Sequence, residues 1–316
     1  MKKLIVLSLT MMLSFSLAAC GSSDNGANDS TNDASNEADN GSADTATDTD
    51  GADTSTDGAD SAANGTNETD ETDGADNAST DNEDMAYVKE KGTLVVGITD
   101  FAPMDYKDAD GNWIGFDADM ARAFAESIGV TAQFVEIDWD NKIMELDGKT
   151  IDCAWNGMTL LEDVKNAMEC TNPYCNNAQV VIVPSDKADL YQDVDSLKEL
   201  NFAVESGSAG EDMAQENNFS YTPVQQQSSA LMEVAAGTAD AAIIDSLMAA
   251  AMVGEGTGYA NLTYTVELNS EEYGVGFRKG SALAGALNDF FAASYADGSM
   301  MECAEKYGVQ AAIVEQ

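Results

Sequence analysis

From residue 85 to the C-terminus the sequence predicts an α/β body with largely parallel sheets. Three observations carry that prediction. Apolar runs at 94–98, 179–183 and 241–245 are short and closed by Gly, Asp or Pro, as strands buried on both faces are. Between such runs lie segments with apolar residues at helical spacing, and the two kinds alternate along 232 residues, enough for one large or two small domains.

Residues 1–20 read as a targeting segment: Lys2 and Lys3, an apolar run at 4–17, then Leu17-Ala18-Ala19-Cys20. The run is short for a bilayer span. Its ending resembles the bacterial lipobox, which implies cleavage before Cys20 and lipid on the thiol and amine of that residue; the alternative is a plain secretory signal with a chance cysteine. Residues 21–84 hold 19 acidic and no basic side chains, no aromatic and no long aliphatic residue. Such a stretch buries too little apolar area to fold and is expected to be a disordered acidic linker.

The body opens at 92–130. Leu94, Val95, Val96 and Ile98 make a strand, and Asp110-Gly111 between Tyr106 and Trp113 signals a two-residue hairpin. Met120, Ala121, Phe124, Ala125 and Ile128 then recur on one helix face behind Asp117 and Asp119, with Gly129 as the stop. Residues 131–137 alternate as a strand, 138–140 turn, 142–146 form a short helix, 151–158 a strand and 163–167 a helix. A strongly β run at 179–183 ends at Pro184. A second unit follows: a short helix at 196–200, a strand at 202–204, the turn Gly207-Ser208-Ala209-Gly210, and helices at 211–217 and 229–236. The strand at 241–245, a helix at 246–253, a strand at 273–277 and helices at 283–295 and 300–307 close the chain. Ligands in such sheets bind beyond the strands' carboxyl ends.

Composition removes several function classes. The chain has 14 basic and 57 acidic side chains and no histidine; from Met85 onward the formal charge is still −26. A surface so negative repels nucleic acid and anionic lipid headgroups. Without histidine there is no Ser-His or Cys-His catalysis and no His-containing zinc site. At Asp108-Ala109-Asp110-Gly111 the first calcium-ligand position of an EF-hand register falls on Tyr106. No metal and no cofactor are expected. Cys153, Cys170, Cys175 and Cys303 allow three full pairings or free buried thiols, and the choice stays open.

Landmarks along 92–308 occur in a recognisable order: GTLVVG, F-x-P-x-x-Y from Phe101, GFDADMARAFA, DWD around Trp139, a strand ending in GMT, NPY, the G-S-A-G turn, ADAAIID and YGVGFRKG. In that order they resemble the amino-acid substrate-binding proteins of ABC importers, extracellular solute-binding protein family 3. The resemblance implies a two-lobe periplasmic-binding-protein-like fold of type II with two hinge crossover strands, near 180–184 and 272–277. Lobe 1 is then 85–182 with 274–316, and lobe 2 is 183–273. It also places Phe101, Trp139, Asn156, Gly157, Thr159, Ser208, Ala209 and Asp245 around the ligand. Phe101 and Trp139 would offer ring faces, Asn156, Gly157 and Thr159 with Ser208 and Ala209 two helix N-termini, and Asp245 the anchor for an amino group, helped by Asp100 or Glu205. The competing role for Asp245 is a helix N-cap before SLMAA.

One departure stands out. The arginine that pairs with the ligand's α-carboxylate in this family is replaced by Val164, and Lys165 beside it points about 100° away on a helix. The expected function is a lipid-anchored receptor on the extracellular face of the cell membrane, a monomer performing no chemistry. It would deliver a small amine-bearing solute to a permease and its ATPase. The alternatives are a dehydratase-like enzyme on the same scaffold and a sensory or adhesive lipoprotein.

Overall fold

The computed structural model describes residues 75–316. The targeting segment, Cys20 and residues 21–74 of the expected linker lie outside the described residues. The last ten linker positions are not linker: they open helix α1 (Ala75–Lys91). Its C-terminal half is held by tertiary contacts that composition does not reveal. Val88 is fully buried, and Asp84 accepts hydrogen bonds from Arg278 Nε (2.7 Å) and the Ser281 hydroxyl (2.5 Å). Lys89 and Lys91 in the last turn suit the negative end of the helix dipole.

Strand β1 (Thr93–Ile98) follows, then a small hairpin of β2 (Tyr106–Lys107) and β3 (Trp113–Ile114). The hairpin loop is longer than a two-residue turn because Asp108 organises it, accepting from the N–H groups of Asp110 and Asn112 (both 2.9 Å). Helix α2 (Phe116–Ser127), β4 (Thr131–Glu136), a 3₁₀ turn at Trp139–Asn141, α3 (Lys142–Asp147), β5 (Cys153–Thr159), α4 (Glu162–Ala167), β6 (Glu169–Cys170) and β7 (Cys175–Asn177) come next. The second unit runs through β8 (Gln179–Pro184), β9 (Asn201–Glu205), α5 (Ala209–Glu216), β10 (Ser220–Val224), α6 (Gln227–Ala236), β11 (Ala241–Asp245), α7 (Ser246–Met252) and β12 (Leu262–Glu267). Strand β13 (Glu271–Phe277), α8 (Ala282–Asp297) and α9 (Ser299–Tyr307) complete the chain.

Two sheets result, ordered β4-β1-β5-β13-β6 with β7 beside β13, and β10-β9-β11-β8-β12. Strands β4, β1 and β5 are parallel, as are β10, β9 and β11, while β13 and β8 run antiparallel to them. Each sheet is the centre of one lobe. The chain leaves the first sheet after β7 and re-enters it at β13. By hydrogen bonding β8 from Gln179 belongs to the second sheet and β13 from Glu271 to the first, so the chain changes sheets at Ala178 and at 268–270, against the expected 182/183 and 273/274. Strand β8 pairs only with β11 and β12 of the second sheet, so 180–184 is a strand of lobe 2 and the crossing itself is the short step before it.

Aromatic packing fixes the first lobe: Trp155 on β5 meets Phe291 of α8 edge-on at 5.7 Å, and Tyr174 lies 5.4 Å from the same ring. On the opposite face Ile137, Leu146, Ile151, Met158 and Val164 form a separate apolar cluster under α3 and α4. In the second lobe Phe202 stacks on Phe219 at 4.8 Å. These cores hold the carboxyl ends of β5, β9 and β11 toward one another. Among the described residues no helix is long and apolar enough to cross a membrane.

Candidate functional site

Between those strand ends lies a cavity of ≈ 280 Å³. Lobe 1 contributes Trp139, Lys142, Asn156, Gly157 and Thr159; lobe 2 contributes Glu205, Ser208, Ala209 and Asp245. Of the ligand residues expected from the sequence, only Phe101 is missing from the lining. It is 2 % exposed and packs edge-on against Tyr273 at 6.4 Å. Its Cε1 would lie 2.4 Å from a Cβ placed on Gly157, whose φ of 57° already demands glycine. The ring lies behind Gly157, outside the cavity lining. Asp100 is also outside the lining.

The lining side chains are held by their own bonds. Asn156 Oδ1 accepts from the Thr99 N–H (3.0 Å) and its Nδ2 donates to the Thr99 hydroxyl (2.7 Å). Thr159 donates to Glu271 (2.9 Å). The expected anion cradle at the end of β5 is not formed: the Gly157 N–H is spent on Asp117 (2.7 Å), and α4 opens with Glu162 and Asp163, which repel an anion. On the facing lobe Ser208 caps α5, accepting from the Glu211 N–H (3.2 Å) while donating to the Glu205 carbonyl (2.8 Å). Gly207, just before it, has φ 70°, and a Cβ there would meet Asp140 Cα of the first lobe at 2.6 Å. The two lobes touch at that glycine.

Asp245 precedes α7, yet its side chain makes no capping bond. It accepts instead from Asn177, Gln227, Gln179 (2.9 Å) and the Tyr273 hydroxyl (2.7 Å). Burial, helped by the charge of Glu271, pushes its carboxyl up to about 7. Glu205 is buried as well, with its Oε1 free of any partner among the described residues. Burial first and the Asp245 charge second push Glu205 up to about 8. Two buried carboxyls that resist ionisation favour an incoming cation.

A model of the family described as bacterial extracellular solute-binding proteins, family 3, matches residues 94–310. The chain belongs to that family. Across 230 residues this family 3 protein is 29 % identical to the L-cystine-binding protein TcyJ of Escherichia coli K12, covering 70 % of this chain and 84 % of that one. Among solved structures, an ABC uptake transporter substrate-binding protein from Streptococcus pneumoniae with bound histidine superposes with a TM-score of 0.68 at 27 % identity, covering 74 % of this chain and 99 % of the other. An ancestral amino acid-binding protein, a precursor of cyclohexadienyl dehydratase, gives 0.65 at 30 % identity over 71 % of this chain and 98 % of its own. The two-lobe type II architecture is common ground.

Within the family 3 frame, Val164 is 2 % exposed, lines the cavity and carries no charge to it. Lys165 sits outside the lining and pairs with Glu162 at 3.7 Å. The cation that does line the cavity, Lys142, was not singled out from the sequence. Its Nζ donates to the carbonyls of Trp139 (3.3 Å) and, across the lobe boundary, Gly207 (2.8 Å). It also lies 5.1 Å from the Trp139 ring centroid, so the protein's own ammonium already covers that aromatic face. Burial lowers the Lys142 pKa, against which Asp163, Glu205 and Asp140 act. The four cysteines among the described residues are free, with Cys153 and Cys175 buried.

Proposed function

We propose that this protein captures a small amine-bearing solute, an amino acid or close analogue, between its lobes and hands it to an ABC permease and its ATPase. The observation that carries the reading is the pair of buried carboxyls, Asp245 and Glu205, on the lobe 2 wall of a cavity whose other wall belongs to lobe 1. An ammonium group set against them gains charge-assisted hydrogen bonds and relieves their mutual repulsion. Trp139 and Ile143 cover the solute's aliphatic part, while Asn156, Gly157, Thr159, Ser208 and Ala209 shape the polar rim. Capture draws the lobes together about the crossings at 178 and 268–270. Lipid on Cys20 and the acidic segment after it keep a monomeric receptor close to the extracellular membrane face, which raises its local concentration at the permease. No metal, cofactor or reaction takes part.

Calorimetric titration of the purified protein against amino acids, amines and short peptides tests this. At least one amine-bearing solute is expected to bind. Asp245→Asn is expected to weaken that binding by about tenfold or more, since a charged hydrogen bond contributes about 1.5 to 3 kcal/mol; unchanged affinity in a folded variant removes Asp245 from the site. A second reading, an enzyme, draws on the proton that Glu205 holds near neutral pH and on the ancestral relative of a dehydratase. Incubation with cyclohexadienyl acids such as prephenate, followed by ultraviolet absorbance, decides it: turnover supports the enzyme and an unchanged spectrum rejects it.

A further inference from the structure

Lys142 is buried to 8 % exposure on the first turn of α3, and both hydrogen-bond acceptors of its Nζ are neutral carbonyl oxygens. An ammonium has three donors, so one remains, and the side chain lines the cavity. Asp163, Glu205, Asp140 and Asp212 act on its charge without a salt bridge to it, and a buried cation whose own bonds go only to neutral dipoles is stabilised by an anion that binds it directly. Of the acids lining the cavity, Glu205 and Asp245 on the lobe 2 wall are buried and resist ionisation. Beside Lys142 lies the turn at Gly207, and the N–H groups of Ala209 and Gly210 that follow meet no protein acceptor among the described residues. The lining thus sets one cation, Lys142 beside the start of α5, among the carboxyls of Asp140, Asp163, Glu205, Glu211, Asp212 and Asp245.

We propose that Lys142 is the partner of the solute's carboxylate, taking over from the side chain missing at Val164, and is thereby the residue that makes this chain prefer an α-amino acid to the corresponding decarboxylated amine. The inference rests on the reading of the cavity as an amine-binding site. A lysine is a point charge without the planar fork of a guanidinium, so it holds a carboxylate through one bond and leaves the rest to backbone N–H groups. The competing physical role is a fastener between lobes, through the Gly207 carbonyl alone. Loss of a fastener weakens every solute alike, whereas loss of a carboxylate partner weakens only solutes that have one.

Paired probes separate these roles: L-arginine with agmatine, L-histidine with histamine, and L-cystine with cystamine. Each is titrated calorimetrically into the full chain, its Lys142→Met variant and its Lys142→Arg variant. The wild type is expected to bind at least one amino acid more tightly than its amine. Lys142→Met is expected to lose about tenfold or more for the amino acid and less than about threefold for the amine, with Lys142→Arg keeping the preference. Equal losses for both members of a pair, or an unchanged amino-acid affinity, overturn the inference. So does a wild type that binds the amine as tightly as the amino acid, although the amine-receptor reading then survives. Binding of no probe at all overturns the inference, and the broader titration of amino acids, amines and peptides then decides the amine-receptor reading. If Lys142→Met does not fold, the ¹⁵Nζ resonance of Lys142 in the wild type supplies the answer: it is expected to shift with the amino acid and stay in place with the amine, and a signal that ignores the amino acid overturns the inference.

Discussion

Burial lets Asp245 and Glu205 hold protons at pH values where ordinary carboxyls have lost them. Their folded pKa values are raised, so the stability they contribute is complete below the unfolded carboxyl range. It is lost as pH climbs through about 7 and about 8. For binding the sign reverses: an arriving cation expels those protons, so affinity for an ammonium solute should rise between about pH 6 and about pH 8 and then level off. Calorimetry in buffers of different ionisation enthalpy reads the released protons directly. Glu205→Gln should flatten the upper part of that rise, and a pH-independent affinity would count against both acids. At this scale landmark order was enough to bring Trp139, Ser208 and Asp245 to one cavity lining. Lys142 and Glu205 were harder. A lysine on a six-residue helix reads as solvent-facing, and the facing lobe that buries it is far away in sequence. Phe101 was expected against the ligand, and its ring lies one layer behind the lining, under Gly157, because strand order fixes which residues converge and not which ring lies behind a glycine.

The contact between the turn before α5 and the 3₁₀ turn before α3 is set by Gly207. Alanine there would carry a left-handed φ, at about 1 to 2 kcal/mol, and would press on the Asp140 backbone. Gly207→Ala should therefore weaken solute binding while leaving lobe 2 folded. Calorimetry measures the first, and small-angle scattering should show a larger radius of gyration with solute present than for the wild type. Strands β1, β5, β8, β11 and β13 and helix α2 were readable from apolar runs and helical spacing. Strand β10 was not, since Pro223 argues against a strand; it is tolerated because β10 is an edge with only β9 beside it. Strand β12 alternates weakly after a glycine-rich stretch, and β6 and β7, two and three residues long, are too short for any period to appear.

For the molecule as a whole, Arg278 acts as a clasp. It reaches Asp84 of α1 (2.6 Å), Asp152 ahead of β5 (3.1 Å) and the Ile151 carbonyl (2.7 Å), with all three side chains largely buried. Arg278→Met would leave the largely buried Asp84 without a cation while Asp152 keeps Lys91 (2.5 Å), and urea unfolding should report a loss of about 3 kcal/mol. The two-lobe plan was legible from alternating strands and helices together with landmark order. The clasp was not, because it joins residues almost two hundred positions apart, and it is also why the body begins before the composition says it should. The path of the chain has a consequence for synthesis. Residues 178–268 form one unbroken insertion, whereas the first sheet lacks its inner strand β13 until the chain is nearly finished. A nascent chain stalled just after Ser270 should thus resist protease in its later portion while its earlier portion is still digested, and that order of maturation belongs to the topology, whatever solute the finished cleft takes.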